Sequence, residues 1–217
     1  MSGAGPAAGA GTGVRAPPDV VLVRHAETEW SRAGRHTGRS DIPLSAAGRS
    51  AAGALRARLA EWHFELVLMS PLARARETCE LSGLSTRARP REDLQEWDYG
   101  DYDGLTTAEI REGRPDWNLW RDGCPGGEDA ADVGLRADRV LGELRRAPGP
   151  VAVFSHGHML RVLGARWIAL GPESGARLGL STGALCLLSH ERDASVLARW
   201  NDTGTGAFAT PGTTARA

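Results

Sequence analysis

The chain has 217 residues, 41% hydrophobic and 24% charged, with a formal net charge of -1. That length allows one well-buried core with a small cap, so one domain is the default. The near-neutral charge argues against a polyanion-coating surface, and no apolar run approaches the roughly 18 to 20 residues that span a bilayer. Neither nucleic acid nor a membrane is expected as a partner.

Residues 1–18 are mostly Gly, Ala and Pro with a single charge, Arg15, and read as a flexible tail. They lack the positive start and apolar centre of a secretory signal. Val20 to Val23 is the first strand-like run. Ser45 to Trp62 repeats Ala and Leu at helical spacing behind a Ser cap, Leu66 to Met69 is a second strand, and Leu72 to Leu84 is a helix following Pro71. Between Leu94 and Gly127 the pattern breaks into glycines and aromatics, Trp97, Tyr99, Tyr102, Trp117 and Trp120, with a short helix near Thr106 to Glu112. This segment reads as an insertion over the active face. Glu128 to Arg146 and His158 to Leu170 are helical, and they bracket a third strand at Val151 to Phe154. Ala184 to Leu188 and Ser195 to Trp200 complete the strands, and residues 201–217 read as a second flexible tail. The folded part is therefore expected at 19–200. Strand–helix alternation predicts an α/β fold: a three-layer α/β/α domain with a mostly parallel central sheet. There is no internal repeat.

Cys79, Cys124 and Cys186 have no metal-type spacing and suit a reducing compartment, so a cytoplasmic protein without disulfides is expected. All 26 basic residues are arginine. The crowding with Gly and Ala makes coding bias the plain cause. The consequence is chemical all the same: without lysine there is no Walker-type phosphate loop and no Schiff base, and any phosphate site must be built from arginine.

Arg24-His25 stands where the first strand stops, and Ser155-His156-Gly157 where the third stops. Ligands of open α/β sheets bind beyond the carboxyl ends of strands, so these histidines are candidates for one site. His25 is a good nucleophile if neutral, with one ring nitrogen held by an acceptor such as a backbone carbonyl. Arg74, after the second strand, has a guanidinium that can meet two phosphate oxygens at once. A carboxylate near bound phosphate and partly desolvated has its pKa pushed up and can hold the proton a leaving alkoxide needs. Glu96, Asp98, Asp101 and Asp103 all qualify, and chemistry alone does not choose among them. His156 and His158 form a His-x-His pair, but further ligands at metal-type spacing are lacking, so a phosphate-binding role for His156, as a cationic or donor group, is preferred.

LVRHAETEW, SPLARARET, LQEWDYGDYDG and SHGH occur in the order found in the histidine phosphatase superfamily, the phosphoglycerate-mutase-like proteins, and together they cover nearly all of the expected folded chain. The resemblance implies that His25 takes up the phosphoryl group, that Arg24, Arg74 and His156 hold its oxygens, and that Glu96 protonates the leaving oxygen. It implies that Thr37, Gly38, Tyr99, Gly157 and His158 line the substrate pocket, and it calls for no metal and no cofactor. Two positions depart from the pattern: Ala26 replaces a usual glycine, and Ser31, counted among the substrate-contacting positions, replaces an asparagine whose amide would donate to phosphate. Arg121 is a candidate partner for a second anionic group.

The chain resembles bacterial phosphoglycerate-mutase-like acid phosphatases, and its Glu96 to Gly104 segment is similar to that of sugar bisphosphatases. The expected function is hydrolysis of small phosphorylated metabolites, sugar phosphates foremost. A phosphoglycerate mutase is the first alternative, but Thr106 and Thr107 stand where that branch has a lysine. A silent phosphate-ester-binding module is the second. A homodimer is compatible with these features.

Overall fold

The computed structural model describes residues 18–209. Along the chain lie β1 (Val20–Arg24), α1 (Glu29–Arg32), α2 (Ala46–Arg58), β2 (Leu66–Met69), α3 (Ala73–Leu81), β3 (Ala88–Pro90), α4 (Thr107–Gly113) and α5 (Leu119–Asp122). Then follow α6 (Ala130–Leu144), β4 (Val151–Ser155), α7 (Gly157–Trp167), β5 (Leu185–Glu191) and β6 (Ala194–Asp202). The sheet order is β3-β2-β4-β1-β5-β6. The first four are mutually parallel, whereas β5 runs antiparallel to β1, and β6 to β5.

Strands β1 and β4 are apolar at nearly every position because both of their faces are covered. Alternate residues of β1 divide between two cores. Val20 and Leu22 pack with Leu141 of α6 and Leu160 and Leu163 of α7. Val21 and Val23 pack on the other face with Leu55 of α2 and Cys79 of α3. This is the expected three-layer α/β/α architecture. Helix starts follow side-chain chemistry: Ser45 Oγ accepts the Gly48 N–H at 2.9 Å, and Asp129 caps α6. Helix α3 has no cap of its own, and Asp41 Oδ1 reaches across to accept the Ala73 N–H at 2.6 Å.

The aromatic insertion packs inward. Trp97, Tyr99 and Trp117 are buried, and the two indoles donate to backbone oxygens, Trp97 to Glu128 and Trp117 to Gly123, each at 2.9 Å. Tyr99 sits against His36 and His158.

The chain differs from expectation at its C-terminal end. Asn201 and Asp202 belong to β6, and Phe208 is fully buried in the cluster of Trp62 and Phe64. Phe208 O accepts the Trp62 indole N–H at 2.5 Å, and Arg58 bonds Asp202 and Gly206 O. A single aromatic anchor thus ties down a stretch whose Gly and Thr content reads as tail. Of the expected N-terminal tail only Pro18 is described, and it is buried; residues 1–17 and 210–217 lie outside the described residues. Among the described residues no helix is long and apolar enough to cross a membrane.

Candidate active site

Three neighbouring parallel strands, β2, β4 and β1, end on the same edge of the sheet. From those ends issue Ser70, His156-Gly157 and Arg24-His25, so topology alone brings both histidines together; their ring centroids are 5.2 Å apart. His25 is 4% exposed, its N–H bonded to Ser155 O and its carbonyl to Gly183 N. Its Nδ1 donates to Ala26 O at 2.8 Å, which leaves the Nε2 lone pair free. Burial, then the charges of Arg74 and Arg24, hold its pKa well below the ordinary histidine value. The ring is therefore neutral near pH 7, as a nucleophile must be.

Arg24 donates from Nη1 to Leu180 O, while its buried Nε finds no acceptor among the described residues. An unpartnered guanidinium N–H beside the nucleophile is a costly feature without an anion to receive it. Gly157 makes room for it: a Cβ there would stand 3.1 Å from Arg24 Cζ.

Arg74 is fully buried, but it does not present the free fork expected of it. Its Nε donates to His156 Nδ1 at 3.1 Å, Nη1 to Ser40 O at 2.9 Å, and Nη2 to Thr37 O and Gly38 O at 2.8 and 2.9 Å. One of the five guanidinium hydrogens remains for a ligand. Arg74 thus supplies charge and holds the Thr37–Ser40 turn. His156 also differs from expectation. Because Nδ1 accepts from Arg74, the ring hydrogen sits on Nε2, which bonds Ser70 Oγ at 2.7 Å. Burial and the charge of Arg74 lower its pKa well below the usual value. His156 is a neutral ring already bonded at both nitrogens, not a cation.

Glu96 is buried as the entry of α7 closes over it. Its Oε1 accepts the N–H groups of Trp97 and Met159 at 3.0 and 2.9 Å, and its Oε2 accepts that of His158 at 3.1 Å. The neighbours are N–H donors at a helix N-terminus rather than an apolar wall. Burial lowers the pKa values of Arg24, Arg74 and Arg161, and the proximity of Glu96 opposes that shift in each. The Tyr99 hydroxyl and His158 Nδ1 are 2.6 Å apart, and burial lowers the His158 pKa well below its ordinary value. Gly38 tolerates no side chain, since a Cβ would meet Trp97 O at 2.9 Å. The His-x-His pair does not converge, because His156 faces Arg74 and Ser70 while His158 faces Tyr99 and Trp120.

Arg24, His25, Thr37, Gly38, Arg74, Glu96, Tyr99, His156, Gly157 and His158 thus form one connected set. Ser31 and Arg121 are not part of it. The Ser31 hydroxyl closes the capping box of α1, accepting from Thr28 N at 2.9 Å and donating to Thr28 O at 3.0 Å. Arg121 is exposed, pairs with Asp122 at 2.7 Å, and lines a surface hollow with Arg114 and Trp117. Three residues of the site were not singled out for their roles in the sequence. Ser70 follows from the same strand-exit rule as His25. Arg161 lies one turn past His158 on α7, and that spacing is its signal; it stacks 4.7 Å from the Trp120 centroid. Asp103 accepts from Gly38 N and from Ser40 N and Oγ, which makes it a fastener of the pocket turn.

A neutral imidazole flanked by two guanidiniums, with a carboxylate opposite, is the equipment of phosphoryl transfer. The sequence profile of the histidine phosphatase superfamily (branch 1) matches residues 20–203, and the chain belongs to that superfamily. It is 38% identical over 189 residues to an acid phosphatase of Mycobacterium tuberculosis, covering 85% of this chain and 93% of that protein. It is 36% identical to a sedoheptulose 1,7-bisphosphatase of Saccharomyces cerevisiae, over 72% of this chain and 69% of the relative. The solved structure of an open reading frame product from Mycobacterium tuberculosis superimposes with a TM-score of 0.80 at 37% identity, covering 85% of this chain and 97% of that one. The chain is a phosphatase of this superfamily.

Proposed function

We propose that the protein hydrolyses small phosphate monoesters, sugar phosphates foremost, through a phosphohistidine on His25. The observation that carries this reading is the His25 Nδ1–H bond to Ala26 O, which fixes the tautomer and leaves Nε2 free. Nε2 attacks phosphorus as the P–O bond to the alcohol breaks, and Glu96 gives its proton to the departing oxygen. Water then attacks phosphorus, Glu96 takes a proton back, and the N–P bond breaks to release inorganic phosphate. Arg24 and the remaining N–H of Arg74 address the phosphoryl oxygens, so arginine supplies the electrostatic stabilisation. Two relatives support the substrate class by what they are, an acid phosphatase and a sugar bisphosphatase. Absence of lysine anywhere in the chain weighs against the mutase alternative.

Rapid acid-free quench of a single turnover with phosphate-labelled substrate should leave label on His25, and His25→Ala should retain neither label nor turnover. A His25→Ala enzyme that works at the wild-type rate would refute the assignment.

A further inference from the structure

We propose that Arg136 and Glu128 form a positioning clamp for the Glu96 carboxyl, setting how well the site protonates a poor leaving group. The proposal rests on the reading of Glu96 as general acid. Neither residue issues from a strand end: Arg136 lies in the middle of α6, and Glu128 on the return of the aromatic insertion.

Arg136 is 8% exposed, and every one of its N–H groups is aimed at this region. Nε and Nη2 meet the two oxygens of Glu128 at 2.7 and 2.8 Å, a bidentate fork. Nη1 donates to Asp93 O and Gln95 O at 2.8 and 2.9 Å, and the second Nη2 hydrogen reaches Glu96 O at 3.3 Å. Glu128 grips the other side of the acid. Its Oε2 accepts the Asp98 N–H at 2.8 Å, its carbonyl accepts the Trp97 indole at 2.9 Å, and its N–H donates to Asp98 O at 2.9 Å. One ion pair therefore fixes the main chain on both sides of Glu96, from Asp93 to Asp98. Helix α7 fixes the carboxylate itself.

A buried ion pair is a poor way to gain stability, because desolvation offsets most of its Coulomb energy. What this pair does provide is position. Proton transfer to a leaving oxygen needs the acid within hydrogen-bond reach, and a displacement of about 1 Å can cost about a hundredfold in rate. Lysine at 136 would keep the charge but, with a point-like ammonium, could not hold a carboxylate fork and three carbonyls together.

The test compares kcat/KM for p-nitrophenyl phosphate, whose phenolate leaves without a proton, with that for glycerol 2-phosphate, whose alkoxide needs one. The ratio of the two within one preparation cancels any loss of folded protein. Glu96→Gln should raise the aryl-to-alkyl ratio by about a hundredfold or more, the range of general acid catalysis. Arg136→Lys should raise it by about tenfold, with the aryl rate within about threefold of wild type, as expected of a misplaced rather than missing acid. If Arg136→Lys does not fold, Glu128→Gln carries the same test. A ratio that stays at the wild-type value in these clamp variants, while Glu96→Gln raises it, would reduce the pair to a structural brace and overturn the proposal. A flat ratio in Glu96→Gln would overturn the reading of Glu96 and the clamp with it.

Discussion

Replacing Gly157 with alanine should separate activity from stability. Gly157 is the first residue of α7, and a Cβ built on it lies 3.1 Å from Arg24 Cζ, 3.3 Å from Nε and 3.4 Å from Nη2. The guanidinium would have to give by a few tenths of an ångström, although its Nη1 is bonded to Leu180 O. Nη1 is the one nitrogen of that guanidinium with a partner among the described residues, so the shift falls on the Nε and Nη2 N–H groups left for phosphate. A hydrogen bond to a charged group contributes about 1.5–3 kcal/mol, and losing the lower end corresponds to about a tenfold change. In the opposite direction, alanine favours helix over glycine by up to about 1 kcal/mol, so the melting temperature should hold or rise slightly. The assay is kcat/KM on p-nitrophenyl phosphate, the inhibition constant of inorganic phosphate, and a thermal melt. About a tenfold loss in the first two is expected, with no loss in the third. Wild-type values for both kinetic quantities would refute the idea that Gly157 positions Arg24 against phosphate. A melt lowered by several degrees would show that the methyl group disturbs packing instead.

Folding stability should fall as the medium becomes mildly acid. His25, His156 and His158 all have pKa values pushed well below the ordinary value, with burial the leading cause. Below about pH 6.5 the unfolded chain therefore binds protons that the native chain refuses, so native stability drops as pH falls and is unaffected well above that value. Melts from pH 7.5 to 5 should show the decline, with a shallower slope in His158→Gln; equal slopes would speak against the buried neutral histidine. Phe208→Ala should cost about 3–5 kcal/mol, the range for a fully buried phenylalanine. At about 2–4 °C per kcal/mol for a domain of this size, a melting temperature lowered by about 10 °C is expected, and no change would return the segment to the status of a tail.

Legibility in the sequence followed the strength of the periodic signal. Strands β1, β2 and β4 are continuous apolar runs covered on both faces, and the long helices carry capped, periodic patterns. What stayed hidden was short or non-local. Strand β3 has three residues and includes an exposed proline, so nothing in its composition separates it from a loop. Helix α1 is four residues long, with no buried side chain to leave an apolar trace. Phe208 is one aromatic in a run of Gly, Thr and Ala, and its anchor, Trp62, lies far off in the chain. In the site, the strand-exit rule found His25 and His156. Glu96 needed the family pattern, because what distinguishes it from Asp98, Asp101 and Asp103 is contact with the start of α7, which is set by tertiary packing.

The two departures from the family pattern show how far a substitution can be judged by residue type. Ala26 looks like a methyl group set against the nucleophile, yet its side chain packs with Leu44 and Ala52 while its carbonyl does the work of holding His25 Nδ1. Its N–H is bonded to Thr78 Oγ1 at 3.1 Å, which in turn donates to Arg74 O at 2.7 Å, so the residue is built into the support of the site. Ser31 lacks an amide, and its hydroxyl is used up in closing a four-residue helix. The change at Ser31 is therefore taken up within the capping box of α1, outside the connected set, whereas the change at Ala26 is taken up in packing with Leu44 and Ala52. Arg74 teaches the same point from the other direction. A guanidinium at a strand exit is legible as a cation, but how many of its hydrogens remain for phosphate depends on the carbonyls of Thr37, Gly38 and Ser40, which the fold alone brings within reach.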